Sequence, residues 1–251
     1  SVIDAAKATV ALQSLNDIAP LMSHLCDGVP LPTHMSPIPI VAVPTTSGTG
    51  SEVTCWGTIW DDDGTKCSVN DPRFYPSHAV LDPELCLSMP RDLTLFTGLD
   101  ALSHAMESVW NRHHMPVSDT LAAEAISVLR NDLEAVLSRP SDIELRRNIQ
   151  NASLLAGLAM GTTQTALAHS ISYPFTAHFN VPHGLACSFT LAEVARYNLV
   201  AEASRLAPIA TGLGCRIDEI PVLLEDWFRK LGVGEAIASY ISPQVVDGLG
   251  D

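Results

Sequence analysis

The sequence predicts an α/β portion followed by an all-α portion, with the change near residue 90. Short apolar runs bounded by proline, glycine or aspartate occur in the first 90 residues, and this pattern is typical of strands. After that point the apolar residues recur with helical spacing, and β-branched runs are few. We therefore predict two domains, over residues 1–90 and 91–251.

The elements of the N-terminal portion follow from local patterns. Residues 2–25 have helical character, with an interruption or an end near Pro20. PIVAVP, residues 39–44, is a short apolar run between prolines and predicts a buried strand. Residues 55–70 contain two β-like runs around an Asp-Gly pair, which predicts a hairpin. HAVLDPEL, which begins at His78, predicts another short strand.

The C-terminal portion is predicted to be helical. Its clearest helices cover residues 93–110, 117–138, 141–160 and 219–231. The 45 consecutive residues 148–192 contain no Asp, Glu, Lys or Arg. This segment has too many polar side chains to span a membrane, so we expect a buried core helix there. A buried histidine in such a segment must form a hydrogen bond or bind a ligand.

Composition narrows the class of protein. With 251 residues, 47% hydrophobic and 17% charged, the chain is globular rather than disordered. A formal net charge of −14 argues against binding to nucleic acid. The six cysteines contain no C-x-x-C pair, and SVIDAAKATV at the start has no basic signal-peptide region. We expect mostly buried thiols, a cytoplasmic location, and neither nucleic acid nor membrane as a partner.

A metal site is the main chemical hypothesis. Asp100 and His104, in DALSH, are four residues apart and share one face of a helix. His169 and His183 flank a proline-containing turn in the charge-free segment. One carboxylate and three neutral imidazoles suit Fe²⁺ or Zn²⁺ and could admit a substrate oxygen. An Asp-His pair at this spacing also arises by chance, and His178 could be a hydrogen-bonded core residue.

PTTSGTGSE, residues 44–52, follows the predicted strand. Its small residues let backbone N–H groups approach an anion, and its hydroxyls add donors. A helix that starts here would also favour negative charge, so the loop suits a nucleotide phosphate. The alternative is a plain Ser/Gly/Thr turn that caps a helix.

Taken together, the motifs SVIDAAK, PTTSGTGSE, LDP, TGLDALSHAMES, HSISYP and VPHG resemble the iron-containing (group III) alcohol dehydrogenase family. The resemblance covers essentially the whole chain. It implies that Asp100, His104, His169 and His183 are the metal ligands. It also implies an α/β dinucleotide-binding domain followed by a helical metal-binding domain, an architecture shared with dehydroquinate synthase.

The resemblance further implies a site for NAD or NADP. The family's glycine motif ends in S-x-x-D, and its glycines are absent before the first residue of this sequence. We therefore expect a partial dinucleotide-binding domain, either in a fragment of a longer enzyme or in a chain that does not bind the cofactor normally. The residues that match the family's cofactor contacts are Ser1, Asp4, Thr45, Thr46, Thr49 and Lys66.

Two residues are candidates for catalysis. Tyr173 takes the position of a histidine proposed for proton transfer in some members, and H-x-x-S-Y-P resembles the branch with phosphonoacetaldehyde reductases. Tyrosines are weak acids, so a hydrogen-bonding or orienting role is expected rather than that of a base. His178 is the second candidate. Arg112 and Arg196, near the motifs, are candidates for holding a substrate anion.

The sequence thus predicts a metal-dependent NAD(P)-linked oxidoreductase that interconverts a primary alcohol and an aldehyde. A small anionic aldehyde such as phosphonoacetaldehyde is the expected substrate, and a homodimer the expected assembly. The alternatives are a metal-binding fragment without dehydrogenase activity and a dehydroquinate synthase-like lyase. The lyase family uses a ligand set that includes a glutamate, so the Asp-His-His-His pattern argues against it.

Overall fold

The computed structural model describes residues 1–15, 17–60 and 66–242, which form eleven α-helices and four short strands. The strands all precede residue 90 and nine of the helices follow it, so the predicted order of an α/β and an all-α portion is confirmed. The strands are β1 (Val41–Ala42), β2 (Trp56–Trp60), β3 (Lys66–Asn70) and β4 (His78–Ala79). The helices are α1 (Val2–Leu15), α2 (Ala19–Asp27), α3 (Arg91–Trp110), α4 (Pro116–Ser138), α5 (Ile143–Thr163), α6 (Leu167–Phe179), α7 (His183–Ala186), α8 (Leu191–Glu202), α9 (Ala207–Leu213), α10 (Ile220–Leu231) and α11 (Val233–Ala238).

The predicted interruption near Pro20 falls just before that residue. Helix α1 ends at Leu15, and Pro20 lies in the first turn of α2, where its missing N–H breaks no helical hydrogen bond. Both helices pack on the hairpin through a small apolar cluster that includes Val10, Leu21 and Val69. This cluster is separate from the core of the helical portion.

The hairpin prediction is confirmed. Strands β2 and β3 pair antiparallel, from Trp56 opposite Asn70 to Trp60 opposite Lys66. The Asp-Gly turn predicted between them lies outside the described residues. The two strands carry several side chains toward the cavity described below.

The other two strands pair in parallel, with Val41 opposite His78. The prediction that β1 is buried is wrong on one face: Ala42 is buried, but Val41 and Val43 are 59% and 43% exposed. Within the described residues, β4 is the one strand paired with β1.

Helix α3 is the centre of the helical portion and packs against α4, α5 and α7. Every residue from Gly98 to Val109 is buried, so the helix has no solvent-facing side over three turns. Most of these residues are apolar, but the buried stretch also contains Asp100, His104 and Glu107. Buried polar groups need partners, so these side chains indicate where the fold builds a site.

The core helix predicted in the charge-free segment is divided between two helices, α5 and α6, and the segment also contains α7. Helix α5 ends at Thr163, and Gln164 turns the chain with φ of 71°, before α6 begins at Leu167. The threonines around the break are β-branched and favour helix poorly. The break places His169 in the first turn of α6. None of the described helices is both long enough and apolar enough to cross a membrane.

The cysteines are only partly as expected. Only half of the six are buried. The buried ones are Cys55, Cys86 and Cys187, while Cys26 is exposed and Cys67 and Cys215 are half-buried.

Candidate metal and cofactor site

Three imidazoles from three helices converge on one carboxylate oxygen. The Nε2 atoms of His104, His169 and His183 lie 3.5, 3.7 and 3.8 Å from Oδ1 of Asp100. The rings of His104 and His169 stack with their centres 4.8 Å apart, and the ring of His183 meets that of His169 edge-on at 5.3 Å. The structure thus brings together all four residues predicted as ligands.

A glycine allows His183 to approach Asp100. Helix α7 begins at His183, and a Cβ on Gly184 would lie 1.9 Å from the carbonyl oxygen of Phe96 and 3.0 Å from Cβ of Asp100. Because glycine has no Cβ, the backbone of α7 can lie directly on α3. This contact brings His183 to Asp100.

The loop of residues 44–52 reaches the same centre. A Cβ on Gly48 would lie 2.6 Å from the carbonyl oxygen of Thr97, so this loop also lies tightly on α3. Nδ1 of His104 donates a hydrogen bond to the carbonyl oxygen of Gly48 at 3.2 Å, which leaves Nε2 toward Asp100. The helix predicted to start here is a single 3-10 turn, Ser51–Val53.

The charges at this centre are set by burial and by each other. Burial acts to raise the pKa of Asp100, but the surrounding histidines, His104 foremost, hold it well below its usual range. Burial lowers the pKa of His104 and lowers that of His183 to about 4. Burial also acts to lower the pKa of His169, but the neighbouring Cys187, Asp100 and Glu107 raise it well above its ordinary value. The centre therefore combines an ionised acid with two neutral imidazoles, those of His104 and His183.

Cys187 was missed by the sequence analysis. Its Sγ donates to Oδ1 of Asp100 at 3.5 Å, and one ligand atom each from Asp100, His169, His183 and Cys187 lie within 4.8 Å of one another. This donor set differs from the predicted one by Cys187 in place of His104. Burial raises the pKa of the thiol to about 11, whereas a thiolate is the form that binds metal. Cys187 follows His183 by four residues, a spacing at which two side chains share a helix face, and this spacing could have indicated it.

Glu107 was missed as well. Its side chain is fully buried, and Oε2 lies 2.5 Å from Nδ1 of His169. Its Oε1 accepts the backbone N–H groups of Ala168 and His169 at 2.6 and 3.2 Å. Glu107 follows Asp100 by seven residues and His104 by three, on the same face of α3, and this spacing could have indicated it.

The donor set fits a divalent metal ion. Nε2 of His169 is buried and has no hydrogen-bond partner in the described part of the chain. A buried polar atom without a partner is costly, and this one faces an ionised carboxylate and two further imidazoles. A carboxylate with imidazole nitrogens suits Fe²⁺ or Zn²⁺. Asp100, His104, His169 and His183 could therefore hold such an ion.

A cavity of about 460 Å³ extends from these four residues to the N-terminal portion. Four of the predicted cofactor residues line it: Ser1, Asp4, Thr49 and Lys66. Thr45 and Thr46 do not line it, and Thr45 is exposed because it precedes the turn that lies on α3. Among the described lining residues, Lys66 is the only Lys or Arg.

A buried lysine, which the sequence analysis did not single out, holds one wall of this cavity. Nζ of Lys7 donates to the carbonyl oxygens of Ser51 and Trp56, both at 2.7 Å, and also to the hydroxyls of Ser51 and Thr54. Burial lowers its pKa to about 8. The Ser51 hydroxyl in turn donates to Oδ1 of Asp4 at 2.5 Å. Lys7 thus ties α1 to the loop that faces the cofactor side.

The two candidate catalytic residues have different positions. Tyr173 lies beside the cavity, and Nζ of Lys66 lies 4.0 Å from its ring centre in a cation–π contact. The structure does not bring His178 to the cavity. Its side chain is exposed, and it is not one of the residues that line the cavity. Its position is nine residues after His169, and nine residues turn an α-helix by two and a half turns, to the opposite face.

The two arginines suggested for a substrate anion are engaged elsewhere. Arg196 pairs with Glu193 and Glu225, and Arg112 donates to His113. Neither lines the cavity. The suggestion is therefore wrong for both, because their side chains belong to the surface of the helical portion, and Lys66 is the cation that faces the site.

Comparison with known protein families agrees with this arrangement. Residues 1–83 match the model of the iron-containing alcohol dehydrogenases, and residues 94–231 match that of the C-terminal region of the Fe-containing alcohol dehydrogenase family. The chain belongs to the iron-containing alcohol dehydrogenase family.

Particular relatives are similar over most of this chain. The chain is 37% identical over 211 residues to an NAD-dependent methanol dehydrogenase of Bacillus methanolicus, which covers 80% of the chain and 55% of that protein. It is 37% identical over 217 residues to a phosphonoacetaldehyde reductase of Streptomyces viridochromogenes, which covers 84% and 55%. The chain spans about half the length of the curated relatives it matches.

A solved structure is similar to nearly all of the chain. It is the sulfoacetaldehyde reductase of Bifidobacterium kashiwanohense in complex with NAD⁺, with a TM-score of 0.84 and 35% sequence identity. The match covers 92% of this chain and 61% of that one. The arrangement of the α/β and helical portions is therefore that of the family.

Proposed function

We propose that this chain is part of a metal-dependent NAD(P)-linked oxidoreductase that interconverts a primary alcohol and an aldehyde. The observation that carries the proposal is the convergence of three Nε2 atoms within 3.8 Å of one Asp100 oxygen, at the end of a cavity. The similar solved reductase holds NAD⁺, and the curated relatives act on alcohols and aldehydes. These similarities support the same class of reaction here.

Asp100, His104, His169 and His183 would hold the metal ion. When bound, the ion supplies Lewis acidity toward a substrate oxygen, and the nicotinamide supplies or accepts hydride. The residues of the chain supply position and charge. Buried Asp100 stays ionised, and the Nδ1 hydrogen bond of His104 to Gly48 fixes which nitrogen faces the centre. Ser1, Asp4 and Thr49 offer polar groups on the cofactor side of the cavity. Thr45 and Thr46 remain candidates for contacts farther along the cofactor.

Lys66 would select the substrate class. It is the one Lys or Arg among the described lining residues of the cavity, so it can pair with a phosphonate or sulfonate group. The cation–π contact with Tyr173 holds its ammonium group in place. Tyr173 would therefore orient Lys66, rather than act as a base. A small anionic aldehyde is the substrate class that this arrangement favours.

The central test is reconstitution of the 251-residue chain. Anaerobically prepared, metal-free protein would be loaded with Fe²⁺, Zn²⁺ or Co²⁺, and oxidation of NADH and NADPH followed with a panel of aldehydes. We expect metal-dependent turnover, with none for H169A. Titration with NADH and NADPH by fluorescence gives a separate result: metal binding without cofactor binding would favour a metal-binding fragment without dehydrogenase activity.

A second test addresses the anionic substrate. We would compare kcat/KM for phosphonoacetaldehyde and for propionaldehyde in wild type and K66M. If Lys66 pairs with the substrate anion, the substitution lowers the value far more for the anionic aldehyde. An equal loss for both aldehydes would assign Lys66 to the cofactor, as the family resemblance implies.

The proposal has three further parts. The division into residues 1–90 and 91–251 is supported by two separate apolar clusters. A cytoplasmic location is supported by the buried thiols of Cys55, Cys86 and Cys187, since thiols persist in reducing compartments. A homodimer is expected from the sequence interpretation, and sedimentation velocity of the purified chain would test it.

A further inference from the structure

We propose that Glu107 is the positioning residue of the metal centre, and that it sets which nitrogen of His169 faces the ion. This inference rests on the metal site of the proposed function. Glu107 would not touch the ion or the substrate. It would act through His169, by accepting a hydrogen bond from the Nδ1–H group and so leaving Nε2 with a free lone pair.

The contacts of Glu107 are arranged for this role. One oxygen, Oε2, lies 2.5 Å from Nδ1 of His169, while Oε1 accepts two backbone N–H groups at the start of α6. The side chain is fully buried. Nε2 of the same His169 ring has no hydrogen-bond partner in the described part of the chain and lies 3.7 Å from Asp100. The ring is therefore held at one nitrogen and open at the other.

The competing interpretation is that Glu107 only caps a helix. The residue before α6 is Ala166, whose side chain cannot accept a hydrogen bond, so Glu107 does supply the missing cap from α3. A cap needs only one acceptor oxygen, however, and here Oε1 alone serves it. The second oxygen is left for Nδ1 of His169, and this is the contact that a cap does not explain.

The two interpretations separate in E107Q. The Gln carbonyl oxygen can still accept the N–H groups of Ala168 and His169, so the cap persists. Its NH₂ group must then face Nδ1 of His169 and donate to it, which drives the ring proton to Nε2 and blocks metal binding there. We expect the affinity for Co²⁺ to fall by about 10- to 100-fold, as for other carboxylates that support metal-bound histidines.

Asp142 offers a matched control. It accepts the N–H groups of Glu144 and Leu145 at the start of α5, so D142N also changes a capping carboxylate to an amide. That variant should keep the wild-type Co²⁺ affinity and visible absorption spectrum. If E107Q binds Co²⁺ with wild-type affinity and spectrum, as D142N does, Glu107 is a cap and the inference is wrong. Failure of the wild-type chain to bind Co²⁺ would instead remove the proposed metal site, and this inference with it.

A second measurement uses the wild-type chain and tests the inference even if E107Q does not fold. In the metal-free wild-type chain with ¹⁵N-labelled histidine, His169 in its neutral form should carry its proton on Nδ1 and none on Nε2, because no ion is present to fix the tautomer. A proton on Nε2 of His169 would overturn the inference.

Discussion

Gly184→Ala tests the physical argument for how the metal centre is assembled. The added Cβ would lie 1.9 Å from the carbonyl oxygen of Phe96, whereas an ordinary contact begins near 3.4 Å. The atom it meets belongs to the backbone of α3, so no side chain can turn away. Helices α7 and α3 must therefore separate, by roughly 1.5 Å if no other atom adjusts.

Both stability and metal affinity should respond. Forcing a methyl group into a packed interior costs about 1–3 kcal/mol, which lowers the melting temperature of a chain of this size by about 2–12 °C. The same displacement moves His183 away from Asp100. Metal sites tolerate deviations of about 0.2 Å, so we expect the affinity for Co²⁺ to fall about tenfold or more.

The matched control is Gly234→Ala. Gly234 also lies in a helix, α11, but a Cβ there would have no atom within 4 Å. That substitution should leave Co²⁺ binding unchanged and raise stability by about 0.4–1 kcal/mol, because it restricts the unfolded chain. Thermal melts of the metal-free proteins and Co²⁺ titrations of all three would be compared. A Gly184→Ala chain that melts and binds Co²⁺ like wild type would refute the argument that close backbone contact positions His183.

Three further predictions concern the donor set, the catalytic candidates and a buried charge. H104A should abolish Co²⁺ binding while C187A retains it, because the neutral thiol is the poorer donor; the reverse result in a Co²⁺ titration would assign Cys187 as the ligand. H178A should keep wild-type metal affinity and turnover, since its side chain is exposed outside the cavity, and a loss in either assay would show that it reaches the site. The last concerns Lys7, whose pKa is lowered to about 8 in the folded chain, against an ordinary value of 10.5. The unfolded chain therefore binds more protons between these values, and the free energy of unfolding of wild type relative to K7M should rise from pH 8 to 10.5, as measured by urea titration; a flat difference would contradict the burial argument.

Spacing predicted the part of the site that lies within single helices. Asp100 and His104 could be paired because residues four apart share a helix face, and Glu107 could have been added by the same rule. The convergence of His169 and His183 on this pair depends on the contacts of α6 and α7 with α3, which no local pattern contains. Family resemblance supplied it instead. The break at Gln164 was missed because apolar composition alone does not distinguish one long buried helix from two.

The hydrogen bond between His104 and Gly48 links two parts of the site that the sequence treated separately. Nδ1 of His104 can donate to this carbonyl only while the 44–52 loop lies on α3, where Gly48 meets Thr97. The next residue of the loop, Thr49, lines the cavity on the cofactor side. An ion held by Nε2 of His104 would therefore favour the loop position in which Thr49 faces the cavity, because each contact is made in the same arrangement. Metal binding and cofactor binding should then strengthen each other by the same factor, and measuring NADH affinity with and without Zn²⁺ would reveal that coupling.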